Sequence, residues 1–141
     1  MAKRHRRVVL EVLLLAMAFG EVNFDENCVS WVHIRRFRLP AGWNKAATEL
    51  LIELPSTYPQ VGPDGFYLDR RLRDRSGRTP AHYFEERGRY NKYADRGWAW
   101  FCLHQEPSNK GGWRAAGNIM DGDNLIKYVE LIRAILSHHR R

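Results

Sequence analysis

The sequence predicts an α+β fold in which a meander of antiparallel strands is covered by helices. Three observations predict it: apolar residues at helical spacing near both chain ends, alternating apolar residues between them, and turns rich in proline and glycine. The chain has 141 residues. This length suffices for one domain with a sizeable hydrophobic core, and we expect residues 1–141 to form a single domain.

The first apolar run follows a basic segment, Lys3 to Arg7, and in this respect resembles a secretory signal. The run is too short to span a bilayer, and Glu11 interrupts it. Val8, Val12 and Leu15 fall at helical spacing. We therefore predict an N-terminal helix packed on the body of the protein, with its basic first turn exposed to a partner.

Two antiparallel strands are predicted next, separated by a break at Pro40. The first is Val29 to Leu39, with one face formed by Val29, Trp31, His33 and Phe37. The second is Thr48 to Leu54, with Leu50, Ile52 and Leu54 on one face and Glu49 and Glu53 on the other. Such alternation is typical of a sheet with one face exposed to water.

A rigid proline-rich loop and a long connection are predicted to follow. Prolines between residues 55 and 63 exclude a helix or a central strand there. Phe66 to Leu68 then forms a short strand, and Asp69 to Gly97 is polar and rich in arginine. Connections of that length in compact domains are usually functional or mobile.

The last part of the chain is an aromatic strand, a loop and a helix. The strand begins at Trp98 and ends on Cys102. Trp113 is predicted to anchor the chain on the core after the loop. A helix from Asn124 to about Ser137 follows, with Asp121 or Asp123 as its cap.

Cys102 is the candidate nucleophile. A thiol reacts as its thiolate, which nearby cations favour and apolar burial opposes. The preceding segment is basic, with Arg87, Arg89, Lys92 and Arg96. His104 lies about 6.5 Å further along an extended strand, so it serves as a base only if the chain turns after Cys102. An ordinary buried cysteine is the alternative that the residues alone leave open.

The composition restricts the possible classes of function. The net charge of +7 indicates an acidic partner, either a nucleic acid or a protein surface. The two cysteines are too few for a disulfide scaffold, and no ligand spacing indicates a metal. We therefore expect no metal and no cofactor, no association with a membrane, and a location in the reducing cytoplasm.

The order of these features resembles that of the ubiquitin-conjugating enzymes. The similar segments are Leu54 to Pro59, Phe101 to Leu103, Trp113 and the final helix. The turn Leu39 to Asn44 and the Gly-Pro-Asp at 62 to 64 are most similar to the divergent bacterial branch, whose genes stand in antiviral defence operons. The family's histidine-proline-asparagine motif is absent from the region directly before Cys102, in which Asn91 is the only asparagine.

This resemblance implies a fold and a reaction. The fold is that of ubiquitin-conjugating enzymes, with the C-terminal helix packed on one face of the sheet. Cys102 takes a ubiquitin-like protein from an activating enzyme as a thioester and passes it to an amine of a protein target, in bacterial antiphage defence. His104, Asn109 and Asn91 are the candidates for handling the proton and stabilising the oxyanion. Cys28 is expected to be structural.

Three other functions remain open. The basic, aromatic stretch from Arg70 to Trp100 has a composition that suits stacking of bases, as in a nucleic-acid-binding module, although no recognised binding motif is present. A cysteine hydrolase would pair Cys102 with a distant histidine, for which His82 is the best candidate. An inactive scaffold of the same fold is the third.

Overall fold

The computed structural model confirms the α+β class. The structure describes residues 2–103 and 112–139, except for the side chain of His139. Helix α1 spans Lys3–Phe19 and helix α2 spans Leu125–His139. The strands are β1 Val22–Phe24, β2 Trp31–Arg38, β3 Ala47–Glu53, β4 Gly65–Asp69, β5 Tyr83–Phe84 and β6 Trp98–Cys102. Short 3-10 helices cover Ala94–Arg96 and Ile119–Asp121.

The six strands form one antiparallel sheet in the order β1-β2-β3-β4-β6-β5. Strands β2 to β4 make the predicted meander, β1 extends it at one edge, and β6 inserts between β4 and β5. One face of the sheet packs on both helices, and their buried residues form a single apolar cluster. The opposite face, called here the outer face, carries a row of paired side chains: His33, Leu51, Tyr67, Trp100 and Phe84.

Strand β3 alternates as predicted, whereas the predicted face of β2 is wrong. The buried residues of β2 are Val32, Ile34 and Phe37, and Trp31 is 36 % exposed on the other side. A register irregularity between Ile34 and Phe37 shifts the alternation by one residue, which returns Phe37 to the core side. Val29, with a φ of 46°, precedes the strand. Strand β1 lies in a segment for which no strand was predicted.

Helix α1 joins the core through Val8, Val12 and Leu15, as predicted. Its basic first turn is only partly a free surface. Arg4 donates to carbonyls of three residues, Cys28, Val29 and Pro55, and Arg7 donates to those of Ala116 and Asp123. Within the described residues, no helix combines the length and apolarity that crossing a bilayer requires.

The start of α2 differs from its prediction in the residue that caps it. The Asn124 side chain accepts a hydrogen bond from the Lys127 backbone N–H at 2.8 Å, which is the geometry of an N-cap. Asp123 instead accepts from the backbone N–H of Arg114. The predicted anchor is confirmed, because the Trp113 indole N–H donates to the Pro59 carbonyl at 2.7 Å and its ring packs on Tyr58.

Candidate active site

Cys102 is the last residue of β6, and its side chain lies on the outer face. Trp98, Trp100 and Cys102 are partly exposed, and the intervening Ala99 and Phe101 are buried in the core, as alternation in a strand requires. The thiol lines a cleft of about 330 Å³. Cys102 is therefore accessible, unlike an ordinary core cysteine.

The backbone of Cys102 is held from both sides. Gly65 of β4 is its register partner on one side. On the other, the Cys102 N–H donates to the His82 carbonyl at 3.0 Å. The Tyr128 hydroxyl of α2 donates to the Gly65 carbonyl at 2.9 Å. Burial, together with the nearby Asp64 and Cys102, raises the pKa of Tyr128 well above its usual value, so Tyr128 remains a donor.

Gly65 allows the Trp100 ring to lie beside the thiol. A Cβ at position 65 would lie 2.6 Å from an atom of the Trp100 ring and closer still to the Phe101 carbonyl. Since real Cβ atoms do not approach so closely, any other residue would displace the ring or the strand. Trp100 and Tyr67, with ring centres 4.9 Å apart, form an aromatic wall of the cleft.

The charges around Cys102 are mixed, whereas the sequence predicts a positive field. Arg89 and Lys92 line the cleft together with two carboxylates, Glu53 and Asp64. Lys92 pairs with Glu53 at 3.1 Å. Arg87 pairs with Asp95 at 2.7 Å, outside the residues that line the cleft. Although these basic residues are close to Cys102 in sequence, they do not produce a uniformly positive field around its thiol.

Glu53 holds the segment before β6 against the outer face. It accepts hydrogen bonds from the hydroxyls of Tyr93, at 2.9 Å, and Tyr67, at 3.4 Å, in addition to its ion pair with Lys92. Burial and the negative charge of Glu53 raise the pKa of Tyr67, which keeps the phenol protonated. The segment forms one side of the cleft, so Glu53 helps to fix the shape of that cleft.

Asn91 is a structural residue, and its candidacy as an oxyanion donor is wrong. It is fully buried. Its amide nitrogen donates to the carbonyls of Phe84, Glu85 and Trp98 at 2.7 to 3.2 Å, and its oxygen accepts from the Tyr93 N–H. These bonds replace strand pairing where the chain turns between β5 and β6. The side-chain N–H groups of Asn91 are therefore occupied by backbone carbonyls and do not face a substrate.

Asn91→Ala is expected to lower the free energy of unfolding by about 3 kcal/mol, because three part-buried carbonyls lose their donor. Chemical denaturation measures the change. Asn23→Ala is the matched control, since Asn23 is exposed on β1 and should change stability by less than about 0.5 kcal/mol. Equal stability of the two variants would contradict the structural role of Asn91.

The other predicted site residues are only partly placed. His104 and Asn109 lie outside the described residues. The backbone of His82 is brought next to Cys102, at a φ of 61°. Cys28 is exposed in the turn before β2, and its carbonyl accepts from Arg4. Among the described residues, no group of three or more His, Cys, Asp or Glu side chains could hold a metal ion.

Asp64 and Glu53 are cleft residues that were not predicted as site residues. Asp64 is exposed and stands directly before Gly65, the partner of Cys102. The available signal was the Asp-Gly pair at the start of a strand, but its significance depends on the pairing of β4 with β6. That pairing joins distant parts of the chain, and local patterns do not specify it.

The comparisons with known proteins give one match. A family model described as Prokaryotic E2 family E matches residues 15–139, a range that contains all six strands, Cys102 and α2. No curated protein and no solved structure gives a significant match.

Proposed function

Because the chain belongs to prokaryotic E2 family E, a family of conjugating-type transferases that act with ubiquitin-like proteins and E1-like activating enzymes, we propose that Cys102 carries a ubiquitin-like protein as a thioester. The observation that carries this proposal is the position of the thiol. It is partly exposed at the end of a central strand and lines a cleft with aromatic and charged walls. We also assign the fold to the ubiquitin-conjugating class.

The first step is a thioester exchange. The Cys102 thiolate attacks the carbonyl carbon of the C-terminal glycine, which arrives as a thioester on the activating enzyme. The bond from that carbon to Cys102 Sγ forms, the bond to the activating enzyme's sulfur breaks, and the latter leaves as a thiolate. Because one thioester replaces another, the step is close to balanced in energy.

The second step transfers the acyl group to an amine. A target lysine arrives mostly as an ammonium and must lose a proton before its nitrogen attacks. The exposed carboxylate of Asp64 can attract that ammonium to the cleft. The tetrahedral intermediate carries an oxyanion that needs a hydrogen-bond donor. His104 and Asn109 are the proposed residues for this role and for the proton transfer.

The setting of the reaction is also part of the proposal. The resemblance of the turn after β2 and of the Gly-Pro-Asp segment to the bacterial defence branch supports a role in antiphage defence. In that setting the reaction takes place in the cytoplasm, where the thiol remains reduced. The partners are then a ubiquitin-like protein, an activating-like enzyme and a protein target.

A mass measurement tests the carrier role. The protein is incubated with ATP and with its cognate ubiquitin-like protein and activating enzyme. We expect its intact mass to increase by that of the ubiquitin-like protein minus one water, with the modification mapped to Cys102 and removed by thiol reductants. The control omits ATP and should give no adduct. Absence of the adduct when all components are present would contradict the proposal.

A cysteine hydrolase is the second candidate, favoured by the position of His82 across from Cys102. A hydrolase would release a ubiquitin-like protein from its ester without activating enzyme or ATP. A carrier would accumulate the adduct only when both are present. A second sample, which contains an ester of the ubiquitin-like protein but neither activating enzyme nor ATP, therefore separates the two candidates.

A further inference from the structure

Three side chains form a stack beside the cleft, called here the Arg89 stack. Phe84 of β5 pairs with Trp100 on the outer face. The Tyr90 ring stacks on Phe84 with ring centres 4.7 Å apart, and the Arg89 guanidinium lies over the Tyr90 ring at 5.4 Å. Phe84 is 37 % exposed and Tyr90 47 %, so the stack presents an aromatic surface capped by a cation.

The neighbouring residues hold this stack in place. Asn91 follows it directly and binds the carbonyls of Phe84 and Trp98, the residues that flank the turn. The charge of Lys92 is matched by Glu53. Among the described residues that line the β5 side of the cleft, the positive charge presented to a ligand is therefore that of Arg89.

The opposite side of the cleft carries the opposite charge. Asp64 stands before β4, on the other side of Cys102 from β5. A carboxylate on the peptide acyl group that Cys102 carries would be attracted by Arg89. Planar guanidinium groups pair well with carboxylates, and exposed aromatic rings provide contact area for an extended backbone.

The size of the cleft gives the position of that carboxylate. A cleft of about 330 Å³ is about 7 Å across, and an extended chain advances about 3.3 Å per residue. About two residues of the bound tail therefore separate Cys102 from the side of the cleft that Arg89 lines. The overall charge of +7 also favours an acidic carried protein.

From this geometry we infer that the Arg89 stack selects carried proteins with an acidic residue two or three positions before their C-terminal glycine. The inference rests on the proposed carrier function. It specifies which ubiquitin-like tails this carrier accepts.

Synthetic peptide thioesters test the inference without knowledge of the natural partner. Hexapeptides end in a glycine thioester of mercaptoethanesulfonate and differ only in the residue three positions before that glycine: Asp, Asn or Lys. Loading of Cys102 exchanges one thioester for another, releases mercaptoethanesulfonate, and is followed by intact mass. We expect the Asp peptide to load about fivefold faster than the Lys peptide at low salt, the size of one exposed charge pair, with a smaller ratio at high salt.

Variants at Arg89 identify the residue responsible. Arg89→Glu is expected to reverse the order of the Asp and Lys peptides, and Arg89→Gln to abolish the difference. Arg75→Glu makes the same change of charge at an exposed position that does not line the cleft, and should keep the wild-type order. Thermal unfolding verifies that each variant is folded.

The outcomes separate this inference from the proposed function. Equal loading of all three peptides by the wild-type protein would overturn the inference. The inference would also be overturned if the peptides load at equal rates and differ only in the rate at which loaded Cys102 passes them to an amine. Arg89 would then contact the acceptor rather than the carried tail. Failure of every peptide to load Cys102 would instead contradict the carrier function.

Discussion

Replacement of Cys102 by alanine is expected to abolish the adduct that is sensitive to thiols and to reduce loading to background. The reason is chemical, since no other atom of the cleft can form a thioester. Cys102→Ser should give either no adduct or an oxyester that survives thiol reductants, because a hydroxyl is a weaker nucleophile and an oxyester exchanges slowly with thiols. Intact mass with and without reductant distinguishes these results.

Cys28→Ser is the matched control for this prediction. Cys28 is exposed, and the contact in which it takes part uses its backbone carbonyl, which serine retains. We expect the control to form the adduct at the wild-type rate. An equal adduct from Cys102→Ala and from the wild type would place the acyl group elsewhere and refute the assignment of the nucleophile.

Glu11→Ala is expected to cause the largest loss of stability, about 4 kcal/mol in the free energy of unfolding. Glu11 is fully buried in α1. Its carboxylate accepts from the Tyr58 hydroxyl at 2.8 Å, from the Leu125 N–H that opens α2 at 2.8 Å, and from Arg7 at 3.3 Å. Truncation removes all three bonds and leaves buried donors without a partner.

Chemical denaturation of three variants tests this account. Tyr58→Phe deletes one of the donors and should cost about 1 kcal/mol. Glu130→Ala removes a carboxylate from the exposed side of α2 and should change stability by less than about 0.5 kcal/mol. A loss for Glu11→Ala no larger than that for Glu130→Ala would show that Glu11 does not hold the helices together.

The same carboxyl contributes to the pH dependence of stability. Burial raises the pKa of Glu11, and the hydrogen bonds and Arg7 only partly oppose this effect. The folded state therefore binds this proton more tightly than the unfolded chain. The contribution of Glu11 to the free energy of unfolding falls as pH rises from the ordinary glutamate pKa of 4.5 through the raised value. Glu11→Gln should lack this decline.

Glu11 also shows the limit of prediction from local pattern. In the sequence it is a charge that interrupts an apolar run, and such a charge normally faces water. In the structure it is buried because Tyr58, Arg7 and the start of α2 converge on it. These partners come from distant segments, so no local pattern contains the signal.

The regular elements were predictable because their signal lies within a short stretch of sequence. Strand β3 alternates strictly, and α2 has its apolar stripe at helical spacing, so each pattern alone specifies the buried side. Strand β2 was not fully predictable, because the irregularity between Ile34 and Phe37 changes the alternation within the strand. The sequence contains no glycine or proline there to mark it.

The candidate site also has a part that local pattern predicts and a part that it does not. The position of Cys102 at the end of an aromatic strand was predictable because that strand has a local pattern. The other cleft residues are brought to Cys102 by the pairing of β4 with β6 and by the hydrogen bonds of Asn91 and Glu53. Buried hydrogen bonds of this kind depend on the complete fold, and they assign Asn91 a role that its position before Cys102 does not reveal.

The backbone anchoring of Cys102 has a consequence for how partners must behave. Its strand is bonded on both sides, and the β4 side is tied to α2 through Tyr128. The sulfur can turn about its own side-chain bond, but its Cα cannot swing toward a misaligned reactant. The orientation of each incoming protein must therefore be set by surfaces away from the cleft, which bring the reacting carbonyl or amine to a stationary atom.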